Sequence, residues 1–141
     1  MDKIKVLFVC IHNSARSQMA EALLNKMAGD RFQAFSAGIE PGTLNPLVVE
    51  VMKEIGIDIS ANKTKSVFDF HKKGEWFNYV ITVCDKKAGE RCPLFPGVIK
   101  QIHMGFADPS VLEGTQAARL EATRKIRDEI ESVLKEWVKS I

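Results

Sequence analysis

Residues Ile4 to Val9 (IKVLFV) form an almost unbroken apolar run that stops at Cys10. A run of this length and composition suits a strand covered on both faces, which means a parallel sheet with helices packed against it. Beyond a short polar stretch, Arg16 to Ala28 carries Met19, Ala20, Leu23, Leu24 and Met27 at helical spacing, with Gly29 as its C′ stop. A buried strand, a tight loop and an amphipathic helix are the opening half of a βαβ unit.

The rest of the chain repeats that alternation. Phe32 to Ala37 reads as a second strand and Gly38 to Gly42 as a loop. Asn45 is an N-cap with Pro46 at the first helical position, and Val48, Val49, Met52 and Ile55 lie on one face before Gly56. Residues 58–76 are ambiguous, with Val67, Phe68 and Phe70 packing in either a short helix or an ordered loop. Tyr79 to Val83 is a third buried strand ending at Cys84, and 85–97 is loop or frayed helix. Val98 to His103 is a fourth strand, Asp108-Pro109-Ser110 a turn that caps the final helix, and Leu120 to Val138 one face of that long helix. The expected fold is α/β: one domain, residues 1–141, of three layers (α/β/α) around a four-stranded parallel sheet. In such folds ligands bind beyond the C-terminal ends of the strands. Cys10, Cys84 and Asp108 all fall at that edge.

The segment Cys10-Ile11-His12-Asn13-Ser14-Ala15-Arg16-Ser17 carries the chemistry. A loop between a buried strand and a helix N-terminus turns successive backbone N–H groups toward one point, where the helix dipole adds positive potential. Arg16 supplies a planar fork of donors matched to an oxyanion. Ser17 is placed to hydrogen-bond the Cys10 sulfur, and Asn13 is a residue type that tolerates a left-handed backbone. Residues 11–17 are thus expected to bind an oxyanion, with Cys10 as a nucleophile facing it. His12 either tunes the anion or points to solvent. Lys63, Lys65, Lys72 and Lys73 read as solvated surface, His71 and His103 as structural or surface residues, and Trp76 and Trp137 as packing residues.

Composition narrows the partners. The formal net charge is +2, which gives no basic face broad enough for nucleic acid. No apolar run spans a bilayer, and no signal-peptide pattern precedes Val6, so the expectation is a cytoplasmic monomer that binds no membrane. In a reducing compartment the three cysteines stay as thiols unless they are catalytic or redox-active.

The motif VLFVCIHNSARSQMAEALL resembles the signature of the low-molecular-weight protein tyrosine phosphatase superfamily. FSAGIEPG, LNP, IGIDIS, VITVCD, CPLFPG and FADPS extend the resemblance along the whole chain, most closely to its thioredoxin-coupled arsenate reductases. The resemblance implies that Cys10 attacks a tetrahedral oxyanion held by the loop and Arg16, with Asp108 protonating the leaving oxygen. It also implies that Cys84 and Cys92 complete a thiol–disulfide relay, with thioredoxin or a similar dithiol as electron donor and no tightly bound cofactor. Asn13, Glu21 and Ser36 match positions that hold potassium in some relatives. The segment Lys63 to Ser66 lacks the acidic residue expected beside them, so no metal is expected. Hydrolysis of a phosphate monoester through phosphocysteine is the alternative, since the loop chemistry is shared. Only Phe106 is aromatic beside the Asp108 turn, which disfavours an aryl phosphate. A non-catalytic redox or phosphate sensor is the third reading.

Overall fold

Val6, Leu7, Phe8 and Val9 are fully buried, as a strand covered on both faces requires. The computed structural model describes residues 2–86, 90 and 100–141. Within them β1 is Ile4–Cys10, α1 Arg16–Ala28, β2 Phe32–Gly38, α2 Pro46–Glu54 and α3 Val67–Lys72. β3 is Tyr79–Thr82, β4 Lys100–His103 and α4 Gln116–Ser140, with a single 3₁₀ turn, Pro109–Val111, before the last helix.

The sheet runs β2-β1-β3-β4 with all neighbours parallel. The chain therefore leaves β1 to one side for β2 and crosses to the other side for β3. This reversal opens a crevice at the C-terminal end of β1, where Cys10 lies. Successive side chains of β1 alternate between two cores. Val6, Phe8 and Cys10 face α1, α2 and α4 through Met19, Leu24, Val48, Met52, Ile130 and Leu134. Leu7 and Val9 face the other layer, built from α3 and the loop after it, with Val67, Phe77 and Val80. There Phe35, Phe70 and Phe77 pack edge-to-face. The three layers, four parallel strands and single domain expected from the alternation are those of the structure.

Local signals account for most boundaries. Asn45 Oδ1 accepts from Leu47 N with Pro46 at the first helical position. Gly56 takes φ +81° after α2, and its N–H and that of Ile57 reach back to the carbonyls of Lys53 and Met52. The ambiguous segment resolves into α3, capped by Ser66 Oγ on Phe68 N. Two expectations are corrected. Gly29 ends α1 in the right-handed region, φ −63°, so that helix has no left-handed cap. The Asp108 turn caps the 3₁₀ turn, whereas α4 starts on its own Thr115, whose hydroxyl accepts from Ala118 N. No helix among the described residues is long and apolar enough to cross a membrane.

Candidate functional site

The loop after β1 is held from outside by its carbonyls. Cys10 O, Ile11 O, His12 O and Ser14 O accept from the backbone N–H groups of Ile39, Glu40, Gly42 and Asn45, at 2.8–3.3 Å. Because each carbonyl is turned toward the segment after β2, the loop's own amides are left facing the other way, over Cys10. Gly38 makes this approach possible. A Cβ there would stand 2.7 Å from Ile11 O, 2.8 Å from Asn13 N and 2.9 Å from the His12 carbonyl carbon. Asn13 makes the turn itself, at φ +53°.

Buried side chains fix the nucleophile. Asn13 N donates to Cys10 Sγ at 3.1 Å, and Ser17 Oγ lies 2.9 Å from the same sulfur. Ser17 Oγ accepts from Asn13 Nδ2 at 2.7 Å, which leaves its own hydrogen directed at Cys10. Asn13 Oδ1 in turn accepts from Gln18 Nε2 and from Lys65 N. Asn13, Ser17 and Gln18 are fully buried, so a relay of satisfied hydrogen bonds runs from residue 65 to the sulfur.

Arg16, at the start of α1, is almost fully buried and points along the same edge. Its Nη1 donates to Glu90 Oε1 at 2.5 Å and to Phe106 O at 3.1 Å, and its Nη2 donates to Glu90 Oε2 at 3.0 Å. Asp108 Oδ2 is 3.6 Å from Nη2. Burial alone would lower the guanidinium's proton affinity. The Glu90 hydrogen bond and the negative charges of Asp108, Glu90 and Cys10 outweigh it, and the value is raised. The Glu90 carboxyl is held below the usual range, first by its hydrogen bond to Arg16 and also by the Asp85 N–H it accepts at 2.7 Å.

Cys84 is fully buried beyond the end of β3. Val9 pairs with Thr82, and Val83 N donates to Val9 O, so Cys84 lies one residue past the position opposite Cys10 on the adjacent strand. Asp108 Oδ1 accepts from Ser110 N. Cys92, the third candidate thiol, lies outside the described residues.

A family model described as low molecular weight phosphotyrosine protein phosphatase matches residues 5–141. The chain belongs to that family. Among relatives of this phosphatase family, the arsenate reductase of Bacillus subtilis is 39% identical, the match covering 99% of both chains. A solved structure titled as an arsenate reductase in the phosphate binding state has TM-score 0.79 and 27% identity, covering 98% of each chain. A thioredoxin-dependent arsenate reductase of Corynebacterium glutamicum has TM-score 0.69 and 31% identity, covering 99% of this chain and 62% of its own.

In this member of the phosphatase family, the structure brings together Cys10, residues 11–17, Cys84 and Asp108 at one sheet edge. His12 turns outward: it is exposed, and its Nδ1 donates to Glu40 O at 2.9 Å. Phe106 is buried in the main core and offers the site its carbonyl, not its ring. Trp137 packs on Phe32 and Tyr79, whereas Trp76 is exposed beside Lys5. His103 Nδ1 meets Thr82 Oγ1 at 2.8 Å. Lys65 is not simply solvated surface, because its Nζ stands 3.9 Å from Glu21 Oε1, which also accepts from Ser36 Oγ. Burial, foremost, raises the Glu21 carboxyl above its usual range, against the pull of Lys65 and Ser36. Among the described residues no group of three or more His, Cys, Asp or Glu side chains is placed to hold a metal ion.

Four contributors escape a reading of the sequence. Glu90 sits 74 residues from Arg16 in an aperiodic stretch, and nothing local marks it. Gly38 reads as one more loop glycine, and the close approach of residues 11–13 is visible only in three dimensions. Gln18 and Lys65 look like ordinary polar surface residues. The Gln18 position one step past Ser17, on the face that meets the loop, is the one signal that could have found it.

Proposed function

We propose that the chain is an arsenate reductase that draws electrons from thioredoxin or a similar dithiol. The observation that carries this reading is Cys84, a buried thiol on the strand beside Cys10, at the rim of an anion-cradling loop. Hydrolysis of a phosphocysteine needs only water, so a second thiol at this point is superfluous for a phosphatase. Reduction of As(V) to As(III) needs two electrons, and a dithiol becoming a disulfide supplies them.

In the proposed sequence, Cys10 thiolate displaces an oxygen of arsenate, which leaves as water on protonation by Asp108. The loop N–H groups and Arg16 stabilise the developing charge. Cys84 thiolate then attacks the Cys10 sulfur. The Cys10–Cys84 bond forms, the sulfur–arsenic bond breaks, its electron pair stays on arsenic, and arsenite leaves. Cys92 attacks Cys84, releasing Cys10 as thiolate, and thioredoxin reduces the Cys84–Cys92 disulfide. Slow hydrolysis of phosphate monoesters is expected alongside, because the first displacement is common to both reactions.

The test is arsenate-dependent oxidation of NADPH in the presence of thioredoxin and thioredoxin reductase. Multiple turnover is expected from the wild type and its loss from Cys10→Ser, Cys84→Ser and Cys92→Ser. Full turnover in both the Cys84 and Cys92 variants would refute the relay. Hydrolysis of an aryl phosphate far more efficient than arsenate reduction would instead make the chain a phosphatase.

A further inference from the structure

Resting on the oxyanion-site reading above, we propose that Glu90 is an internal competitor for that site, its carboxylate occupying the Arg16 fork that an incoming oxyanion must take. The two oxygens of a carboxylate and two oxygens of a tetrahedral oxyanion present the same edge to a guanidinium. Glu90 presents that edge here, at 2.5 and 3.0 Å from Nη1 and Nη2. Phe106 O takes the second hydrogen of Nη1, and Asp108 stands near Nη2. The terminal nitrogens are thereby fully engaged before any substrate arrives. The carboxylate is partly buried, with 17% of its side chain exposed, so water screens the pair only in part.

An arsenate or phosphate dianion over Cys10 would sit beside this carboxylate on the same cation. Like charges that close repel, so the oxyanion and Glu90 exclude one another. Occupancy by Glu90 lowers the apparent affinity for any oxyanion by the fraction of time the fork is closed. The Glu90 carboxylate also accepts from Asp85 N, the residue after Cys84. Its departure breaks a bridge that joins Arg16 to the Cys84 strand end. Substrate arrival is thus registered beside the second thiol without any contact between thiol and substrate.

The test is protection of Cys10 from iodoacetamide by inorganic phosphate, with the Cys10 adduct followed by peptide mass spectrometry. Iodoacetamide is neutral, so its own approach is not governed by Arg16. In both Glu90→Gln and Glu90→Ala the half-protecting phosphate concentration should fall about tenfold, the worth of a charge-assisted bidentate pair no longer in competition. An unchanged or higher concentration in both variants overturns the proposal. Weaker protection in Glu90→Ala restored by Glu90→Gln would make Glu90 a strut and also overturns it. Absence of phosphate protection in the wild type and in both variants would remove the oxyanion site itself, and this inference with it.

Discussion

Replacing Gly38 by alanine tests whether the anion site is set by backbone packing. A single methyl group is added, at a position where φ lies outside the left-handed region, so conformational strain does not enter. The added Cβ would meet three atoms of the loop at 2.7, 2.8 and 2.9 Å, every one of them backbone. Each contact is about half an ångström inside ordinary van der Waals distance, and no flexible side chain can give way. The loop must therefore lift from β2, weakening the bonds from Ile39, Glu40 and Gly42 that hold its carbonyls. Overpacking of this kind costs about 1–3 kcal/mol, or about 3–10 °C in Tm for a domain of this size. The functional loss should be larger than the stability loss. A displacement of several tenths of an ångström shifts the amides off a bound oxyanion, and a misplacement near 1 Å costs about 100-fold in rate. The assay pairs thermal unfolding with phosphate protection of Cys10 in the same protein. A Tm within about 1 °C of wild type, together with unchanged phosphate protection, would refute the account of how this loop is built.

Three further outcomes are expected. Asn13→Ala should destabilise by about 2–4 kcal/mol, since it places a Cβ-bearing residue lacking a polar side chain at φ +53° and strands the donors Gln18 Nε2 and Lys65 N. Asn13→Gly should recover about 1 kcal/mol of this, and denaturant titration of the two variants checks the difference. Glu54 is held down to about 2, first by its hydrogen bond to Arg124 and then by Arg127. Its contribution is present above its ordinary value of 4.5 and is lost as pH falls toward 2, so the Tm gap between wild type and Glu54→Gln should close over that window. A gap equal at pH 7 and pH 2.5 counts against the pairing. Lys65→Met removes the cation beside buried Glu21, whose carboxyl is already raised. The variant should lose more Tm at pH 8 than at pH 5, and wild-type turnover should be the same in sodium and potassium chloride.

The sequence makes the fold legible because its strongest signals are local. The run 4–9 could only be a doubly covered strand, and the Asn45-Pro46 pair marks a helix start that needs no tertiary help. The Cys10–Ser17 loop is legible for the same reason, since a strand end, a tight loop and a helix start are contiguous. The supports of the site are a different matter. Glu90 reaches Arg16, Lys65 reaches both Asn13 and Glu21, and Gly38 lies under residues 11–13, all through contacts that only the closed sheet creates. Gly29 is no left-handed cap because a right-handed turn brings Arg31 N to Ala28 O and feeds the chain directly into β2. Trp76 departs from a packing role because aromatic character alone does not say which of two faces a loop presents.

The outward-tied carbonyls of residues 10, 11, 12 and 14 have a consequence for how the loop tolerates change. The groups that face the anion are amides, which every amino acid except proline carries, and their direction is dictated by partners on residues 39–45. Chemical identity at Ile11 and Ser14 is therefore nearly decoupled from the positive cup they help to form. Random libraries at these two positions should keep phosphate protection for most side chains and lose it for proline. The positions that cannot be rewritten are the ones holding the cup in shape: the bare Cα of Gly38, the left-handed Asn13 and the hydroxyl of Ser17.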